Sequence, residues 1–371
     1  MDKQIELAVQ KFRELLYEQI ERAQTIKKEN ATYHDNKSKK ITVGIIDGDG
    51  IGPIIMKQTQ RILELLLKEE ILSKKLVLEK IEGLTISERL RQGCSVPDSV
   101  LAKIRECDVI LKGPTETPKG GKLESANVTL RRELDLYANV RPVSIPEEGI
   151  DWTFFRENTE GEYVLGSKGI EIEKLLCMDF KVTTYEGTKR IARAAFDFAR
   201  KNGKQNVSIV TKANIMKKTD GIFSAICNEV AKDYPEIEAE DWYVDIMTAN
   251  LVNKSIRNRF QVFVLPNLYG DIITDEAAQI QGGVGTAGSA NIGDRYAMFE
   301  AIHGTAPRLI EEGKGDYANP ISLMKAACMM LRHIGLTDKA QKLEEALNDT
   351  PHEETMTAKE YTDKIIRKMQ I

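Results

Sequence analysis

Val262-Phe-Val-Leu265-Pro-Asn-Leu-Tyr-Gly-Asp271-Ile-Ile-Thr-Asp275-Glu-Ala-Ala-Gln279 reads as a strand running into a helix. The apolar run Val262–Leu265 predicts a buried strand. A turn region through Pro266-Asn and Tyr269-Gly follows, and a helix pattern then begins. Asp271 and Asp275 are four apart, so a helix starting here carries both carboxylates on one face. Like charges at that spacing repel unless a cation lies beside them. Ligand sites in α/β proteins gather at the ends of strands, and a divalent metal is the natural cation there. Taken alone, such a pair is more often a solvated helix start that complements the macrodipole. The rest of the chain decides between the two.

Outward from this stretch, strands alternate with helices. Ile41–Ile46, Val109–Lys112 and Val207–Val210 predict further strands. Helices are predicted from Pro53, suited to a first helical position, to about Lys68, and over Glu186–Asn202, Thr219–Tyr234 and Pro320–Ile334. That rhythm implies a mainly parallel sheet. Residues 1–29 place Ile5, Ala8, Phe12, Leu15, Leu16, Ile20 and Ala23 at helical spacing, which predicts one amphipathic helix. The polar segment 30–40 reads as a linker.

The 371 residues exceed the usual size of one domain, so two domains are expected. A net charge of −4 gives no reason to expect nucleic acid or an acidic membrane surface as partner. No apolar run approaches a membrane span, and the N-terminus shows neither a secretory h-region nor a transit-peptide pattern. The five cysteines are scattered and odd in number, which suits free thiols in a reducing cytoplasm. With only four histidines, two of them (His34 and His352) in polar segments, a metal here would be held mainly by oxygen, pointing to Mg²⁺ or Mn²⁺.

Four further constellations carry chemistry. Gly48-Asp-Gly50-Ile51-Gly52 invites a dinucleotide reading but lacks the third glycine at the required offset, and no acidic residue closes the next strand. A tight βα turn admitting close approach of a ligand is the reading it supports. Ser125-Ala-Asn127, Arg131, Arg141 and Arg156 bring a hydroxyl, an amide and three guanidiniums into a short span. Arginine holds carboxylates bidentately, and Arg141 and Arg156 sit beside apolar runs where a partner is needed, so a small polycarboxylate ligand is expected. Tyr163 lies in Asn158-Thr-Glu-Gly-Glu-Tyr163, and Lys212 follows a strand directly, a place for a candidate base. Phe299-Glu-Ala-Ile-His303-Gly304-Thr305-Ala306-Pro307, with Asn319 beyond it, offers small residues and free N–H groups suited to an adenosine or phosphate moiety.

Together these segments resemble the metal-dependent β-decarboxylating dehydrogenases, the family of isocitrate, isopropylmalate and homoisocitrate dehydrogenases. The resemblance runs from about Ile41 to the C-terminus. It rests on GDGIGP at 48–53, ANVRPV at 138–143, FRENTEGEY at 155–163, NLYGDIITD at 267–275 and HGTAP at 303–307. It implies the non-Rossmann α/β fold of that family, a mainly parallel sheet with a large and a small domain. The expected division is 1–40 as helical extension and linker, 41–137 plus 282–371 as the cofactor-binding domain, and 138–281 as the small domain with the dimer interface.

The resemblance also implies roles. Ser125 and Asn127 match members that take isocitrate; isopropylmalate enzymes have apolar residues there, and a carboxylate in an apolar pocket would be costly. Arg131, Arg141 and Arg156 would clamp carboxylates. Asp271 and Asp275 would hold the metal, with Asp245 supplied by a neighbouring subunit. Lys212, also from the neighbour, would be the base and Tyr163 the proton donor, so the minimum active unit is a homodimer. The N-terminal helix is a candidate for building a higher oligomer. The cofactor would lie on Ile51, His303, Gly304, Thr305, Ala306 and Asn319. NAD is expected, although Arg308 replaces the Asp usual in NAD-using members and suits the 2′-phosphate of NADP. Homoisocitrate or 3-isopropylmalate as substrate, and a regulatory subunit without activity, are the rival readings.

Overall fold

The computed structural model describes residues 2–29, 40–118, 123–166 and 168–369. The expected linker, apart from Lys40, and His34 lie outside them. Twelve strands run through the described residues: β1 (Ile41–Ile46), β2 (Leu76–Lys80), β3 (Val109–Lys112), β4 (Ala138–Ile145), β5 (Ile150–Glu157), β6 (Ile170–Ile172), β7 (Leu176–Met178), β8 (Asn206–Thr211), β9 (Glu238–Tyr243), β10 (Val262–Leu265), β11 (Gly288–Ile292) and β12 (Ala297–Ala301). The chain divides into two compact units, Met1–Asp35 with Ser144–Thr274 and Asn36–Val143 with Asp275–Ile371.

In the second unit the strand order is β2-β1-β3-β12-β11-β4. The β2-β1-β3-β12 run is parallel, while β11 is antiparallel to both β12 and β4. Side chains alternate across a strand, so β1 feeds two cores. Val43 and Ile45 pack with Ile55, Leu63 and Leu331 from the helices Gly52–Leu66 and Ile321–His333. Ile46 packs instead with Ile104 and Leu130, from the helices Asp98–Arg105 and Ala126–Glu133. Each fully buried Leu or Ile contributes about 1.5–3 kcal/mol of transfer free energy, and helices on both faces explain the near-continuous apolar strands.

In the first unit β5-β10-β8-β9 are all parallel. The helix Tyr185–Lys201 buries Ile191, Ala195, Phe196 and Ala199 at helical spacing. Trp152, Phe154 and Phe263 form an aromatic cluster, with the two phenylalanine rings stacked 4.3 Å apart. A separate hairpin pairs β6 with β7.

The helix Asp2–Glu29 forms as its spacing predicts, but its apolar stripe is only partly covered. Leu15 and Ile26 are buried, whereas Ile5, Phe12, Leu16 and Ile20 remain 40–53% exposed. Polar bonds help hold it: Arg22 to Glu160, Lys168 to Glu18 and Lys11 to the Gly169 carbonyl. The expected turn at 266–270 does not occur. The helix Asn267–Ile280 starts directly after Pro266, so Asp271 and Asp275 lie beyond its first turn, which contains no acidic residue. A helix-start role for the pair through the macrodipole is thereby removed, because that effect fades beyond the first turn.

Candidate active site

The β5–β10 register pairs Leu265 with Arg156, which sets this arginine beside the start of the helix Asn267–Ile280. Its side chain is 1% exposed. Nε and Nη2 both donate to Asn267 Oδ1, at 2.9 and 2.7 Å, and Nη1 donates to Asp271. Gly270 makes room for it, since a Cβ there would stand 2.5 Å from Arg156 Cγ. The Tyr-Gly signal that reads as a turn is thus a packing requirement inside a helix. Tyr163 Oη donates to the other Asp271 oxygen at 2.9 Å. Burial first, and then the Asp271 charge, push the Tyr163 phenol up to about 12, so it is a protonated donor throughout the neutral range.

The β8–β9 register pairs Thr211 with Tyr243 and brings the next residues of both strands to one end. There Lys212 Nζ meets Asp245 Oδ1 at 2.6 Å. That hydrogen bond holds the Asp245 carboxyl below its usual range. The backbone N–H of Lys212 donates to the buried Asp220 at 2.7 Å.

In the second unit, Arg141 Nη1 pairs with Asp275 at 2.7 Å while its side chain is 8% exposed. Arg141 Nε donates to Asn139, and Asn139 donates to Asn291 at 2.9 Å. Asn291 donates to Glu300 at 2.8 Å, and Glu300 pairs with Lys112 at 3.1 Å and Arg131 at 3.2 Å. The register explains the chain: Asn291 lies opposite Asn139, and Glu300 beside Lys112. Arg131 and Arg141 are therefore tied to one buried polar network. Burial opposes the Glu300 charge, but Lys112, Arg131 and the Asn291 amide outweigh it and hold the carboxyl at about 2. Ser125 occupies the N-cap position of Ala126–Glu133, and Asn127 accepts from Thr115 at 3.1 Å.

The glycine loop is the tight turn that the sequence suggests. Gly48 and Gly50 have φ of +79° and +59°, where glycine is favoured. A Cβ on Gly48 would stand 2.1 Å from the Pro114 carbonyl, and one on Gly50 would stand 2.2 Å from the Thr305 carbonyl. Those positions are taken by the protein's own backbone, so glycine at 48 and 50 lets three loops pack together. Ile51 N–H donates to Thr305 at 3.1 Å. Ala306 sits at φ +46°, a strained value for a non-glycine residue. His303 Nδ1 lies 3.0 Å from the Gly304 carbonyl, and its buried Nε2 has no partner among the described residues. Asn319 Oδ1 accepts from Ile321 N–H, and Arg308 is 89% exposed and pairs with Glu312 at 2.7 Å.

Sequence reading missed Asn139, Asn291, Glu300, Asn267 and the role of Lys112. The available signal was a lone charge or amide inside an apolar strand, as in Val109-Ile-Leu-Lys112 and Phe299-Glu300-Ala301. Such a residue demands a buried partner.

Asp271 and Asp275 present hard oxygen donors one turn apart, 37% and 59% exposed. Among the described residues of one chain, no group of three carboxylate, imidazole or thiolate side chains is placed to hold a metal. A sequence profile for isocitrate/isopropylmalate dehydrogenases matches residues 42–368. An NADP isocitrate dehydrogenase of Rickettsia felis is 42% identical over 333 residues, 86% of this chain, and the match spans 65% of that enzyme's length. The mitochondrial NAD isocitrate dehydrogenase subunit 2 of Schizosaccharomyces pombe is 38% identical, with 90% of this chain and 89% of that protein covered. The crystal structure of isocitrate dehydrogenase from Methylococcus capsulatus superposes with a TM-score of 0.80 at 35% identity, covering 89% of this chain and 100% of that one. The mixed α/β fold expected from the sequence is the one observed, and the chain belongs to the isocitrate/isopropylmalate dehydrogenase family.

Proposed function

We propose that the chain catalyses metal-dependent oxidative decarboxylation of isocitrate to 2-oxoglutarate and CO₂ with NAD as hydride acceptor. The observation that carries this reading is Asp271, held between the buried Arg156 and the protonated Tyr163 on a helix whose next turn presents Asp275. Oxygen-only donors suit Mg²⁺ or Mn²⁺. Two donors from one chain fall short of a full set, and Asp245 from another copy would complete it in a homodimer. That Lys212 and Asp245 already form one pair supports their being contributed together. The buried Nε of Arg131 and Nε2 of His303, without partners among the described residues, fit a carboxylate ligand and a cofactor, respectively.

Arg131, Arg141 and Arg156 are suited to holding the substrate carboxylates, and the polar Ser125 and Asn127 to the carboxymethyl group. When bound, the divalent cation supplies Lewis acidity and the nicotinamide accepts the hydride. Lys212 removes the hydroxyl proton. After the carbon–carbon bond to the departing CO₂ breaks, Tyr163 delivers a proton to the carbon that retains the electron pair. Ile51, His303, Gly304, Thr305, Ala306 and Asn319 receive the adenosine end.

A second substrate has support, because a 3-isopropylmalate dehydrogenase of Archaeoglobus fulgidus is 41% identical over 320 residues. Ser125 and Asn127 favour isocitrate. NADP has support in the rickettsial relative and in exposed Arg308. Cytoplasmic location fits five free cysteines, and no helix of the described residues is long and apolar enough to cross a membrane. Turnover of isocitrate, homoisocitrate and 3-isopropylmalate with Mn²⁺ and either nicotinamide tests the reading. Negligible activity on isocitrate rejects it, and binding without turnover by the purified chain favours a regulatory subunit.

A further inference from the structure

Lys181 lies between β7 and the helix Tyr185–Lys201, and its side chain is 6% exposed. One ammonium reaches three side chains on three segments. Nζ is 2.5 Å from Asp220 Oδ1 and 3.3 Å from Glu162 Oε1. It donates to Tyr269 Oη at 3.3 Å and stands 4.3 Å from that ring's centre. Glu162 directly precedes Tyr163. Asp220, fully buried, uses its other oxygen to accept the backbone N–H of Lys212 at 2.7 Å. Tyr269 lies two residues before Asp271 on the same helix. The backbone adds a fourth tie, because Val182 and Gly161 exchange N–H···O bonds at 2.8 and 3.1 Å.

We infer that Lys181 is a positioning residue, whose buried ammonium fixes at one point the segments that present Tyr163, Lys212 and Asp271. This rests on the dehydrogenase reading above for the roles of those three residues. A single buried ion pair needs one cation and one anion; here the cation is shared among Glu162, next to Tyr163, Asp220, hydrogen-bonded to the Lys212 backbone, and Tyr269, two residues before Asp271. Burial opposes its charge, but Asp220 and Glu162 outweigh that and keep the ammonium protonated. Its removal leaves Asp220 buried without its cation, which is strongly unfavourable. If Lys212 and Asp245 serve a neighbouring site while Tyr163 and Asp271 serve their own, this one cation ties what a protomer keeps to what it lends.

The test compares the full-length chain with Lys181→Met, Lys181→Arg and Glu162→Gln by steady-state kinetics on isocitrate and by hydrogen exchange read by mass spectrometry. Loss of an outer-shell partner typically lowers activity about 10–100-fold. Lys181→Met is expected to lower kcat by that factor, with KM for isocitrate changed less than about threefold. Exchange should quicken together in 158–165, 211–216 and 267–272, and Lys181→Arg should recover most of both effects. Faster exchange confined to 179–184, or unchanged kcat beside a lowered Tm, would overturn the inference. Should Lys181→Met fail to fold, Glu162→Gln decides: it should loosen 158–165 alone, and an unaltered 158–165 contradicts the inference. If the parent chain does not turn over isocitrate, the functional reading fails while the exchange pattern still tests the anchoring.

Discussion

Replacing Glu300 by Gln removes the anion at the centre of the network joining Arg131, Lys112, Asn291, Asn139 and Arg141. Its carboxyl lies at about 2 rather than the ordinary 4.5. A tenfold change in proton affinity corresponds to about 1.4 kcal/mol, so the ionised group contributes about 3 kcal/mol at neutral pH. Its partner points the other way: burial pulls the Lys112 ammonium below its ordinary value despite Glu300, so keeping that charge buried is a net cost to the fold. The carboxylate is the better gauge because two cations and an amide converge on one negative charge. A depressed carboxyl stabilises above its unfolded-state value and loses that contribution as pH falls toward its folded-state value. Urea unfolding of parent and variant should therefore differ by about 3 kcal/mol at pH 7 and pH 6. By pH 4 the difference should have shrunk by about 1 kcal/mol. A difference below about 1 kcal/mol at pH 7, or one that stays flat down to pH 4, would refute the electrostatic account of this network.

Tyr163→Phe keeps the ring and removes the donor, so kcat should fall on the order of 10²–10⁴-fold with little change in metal activation. Asp275→Asn should raise the Mn²⁺ concentration for half-activation by at least about 100-fold, since even outer-shell changes cost 10–100-fold in affinity; titration of apo-enzyme with Mn²⁺ checks this. Arg22→Ala removes the cation beside Glu160, whose side chain is 3% exposed and keeps only its bonds from Thr184 among the described residues, and should lower stability by about 1–3 kcal/mol in urea. Arg308→Ala should raise KM for NADP by more than it changes KM for NAD, because the arginine is exposed and available to a 2′-phosphate.

Much of the fold was legible because its signals are local. Val262–Leu265, Val109–Lys112 and Ile41–Ile46 are apolar runs of strand length, and the structure makes each of them a strand with the same bounds. Glycine was legible as a constraint but not as to its cause. Gly270 read as a turn and is a helical residue against Arg156; at Gly48 and Gly50 the neighbours that require glycine are the Pro114 and Thr305 carbonyls. The distinction depends on what lies opposite, which the sequence does not hold. The same applies to partners. Lys112 and Glu300 meet only because β3 and β12 pair in one register, and Lys212 meets Asp245 only because β8 and β9 do. Spacing pointed to Asp271 and Asp275, but it could not show that buried arginines stand beside both.

The most direct measurement follows absorbance at 340 nm when the purified chain receives isocitrate and Mn²⁺, with NAD and NADP in parallel, before and after a chelator. Reduction of the nicotinamide, with 2-oxoglutarate formed in equal amount, activity lost to the chelator and restored by Mn²⁺, and NAD used in preference to NADP, is the predicted result. No reduction of either nicotinamide, or turnover untouched by the chelator, would contradict a carboxylate-held metal site built on Asp271 and Asp275.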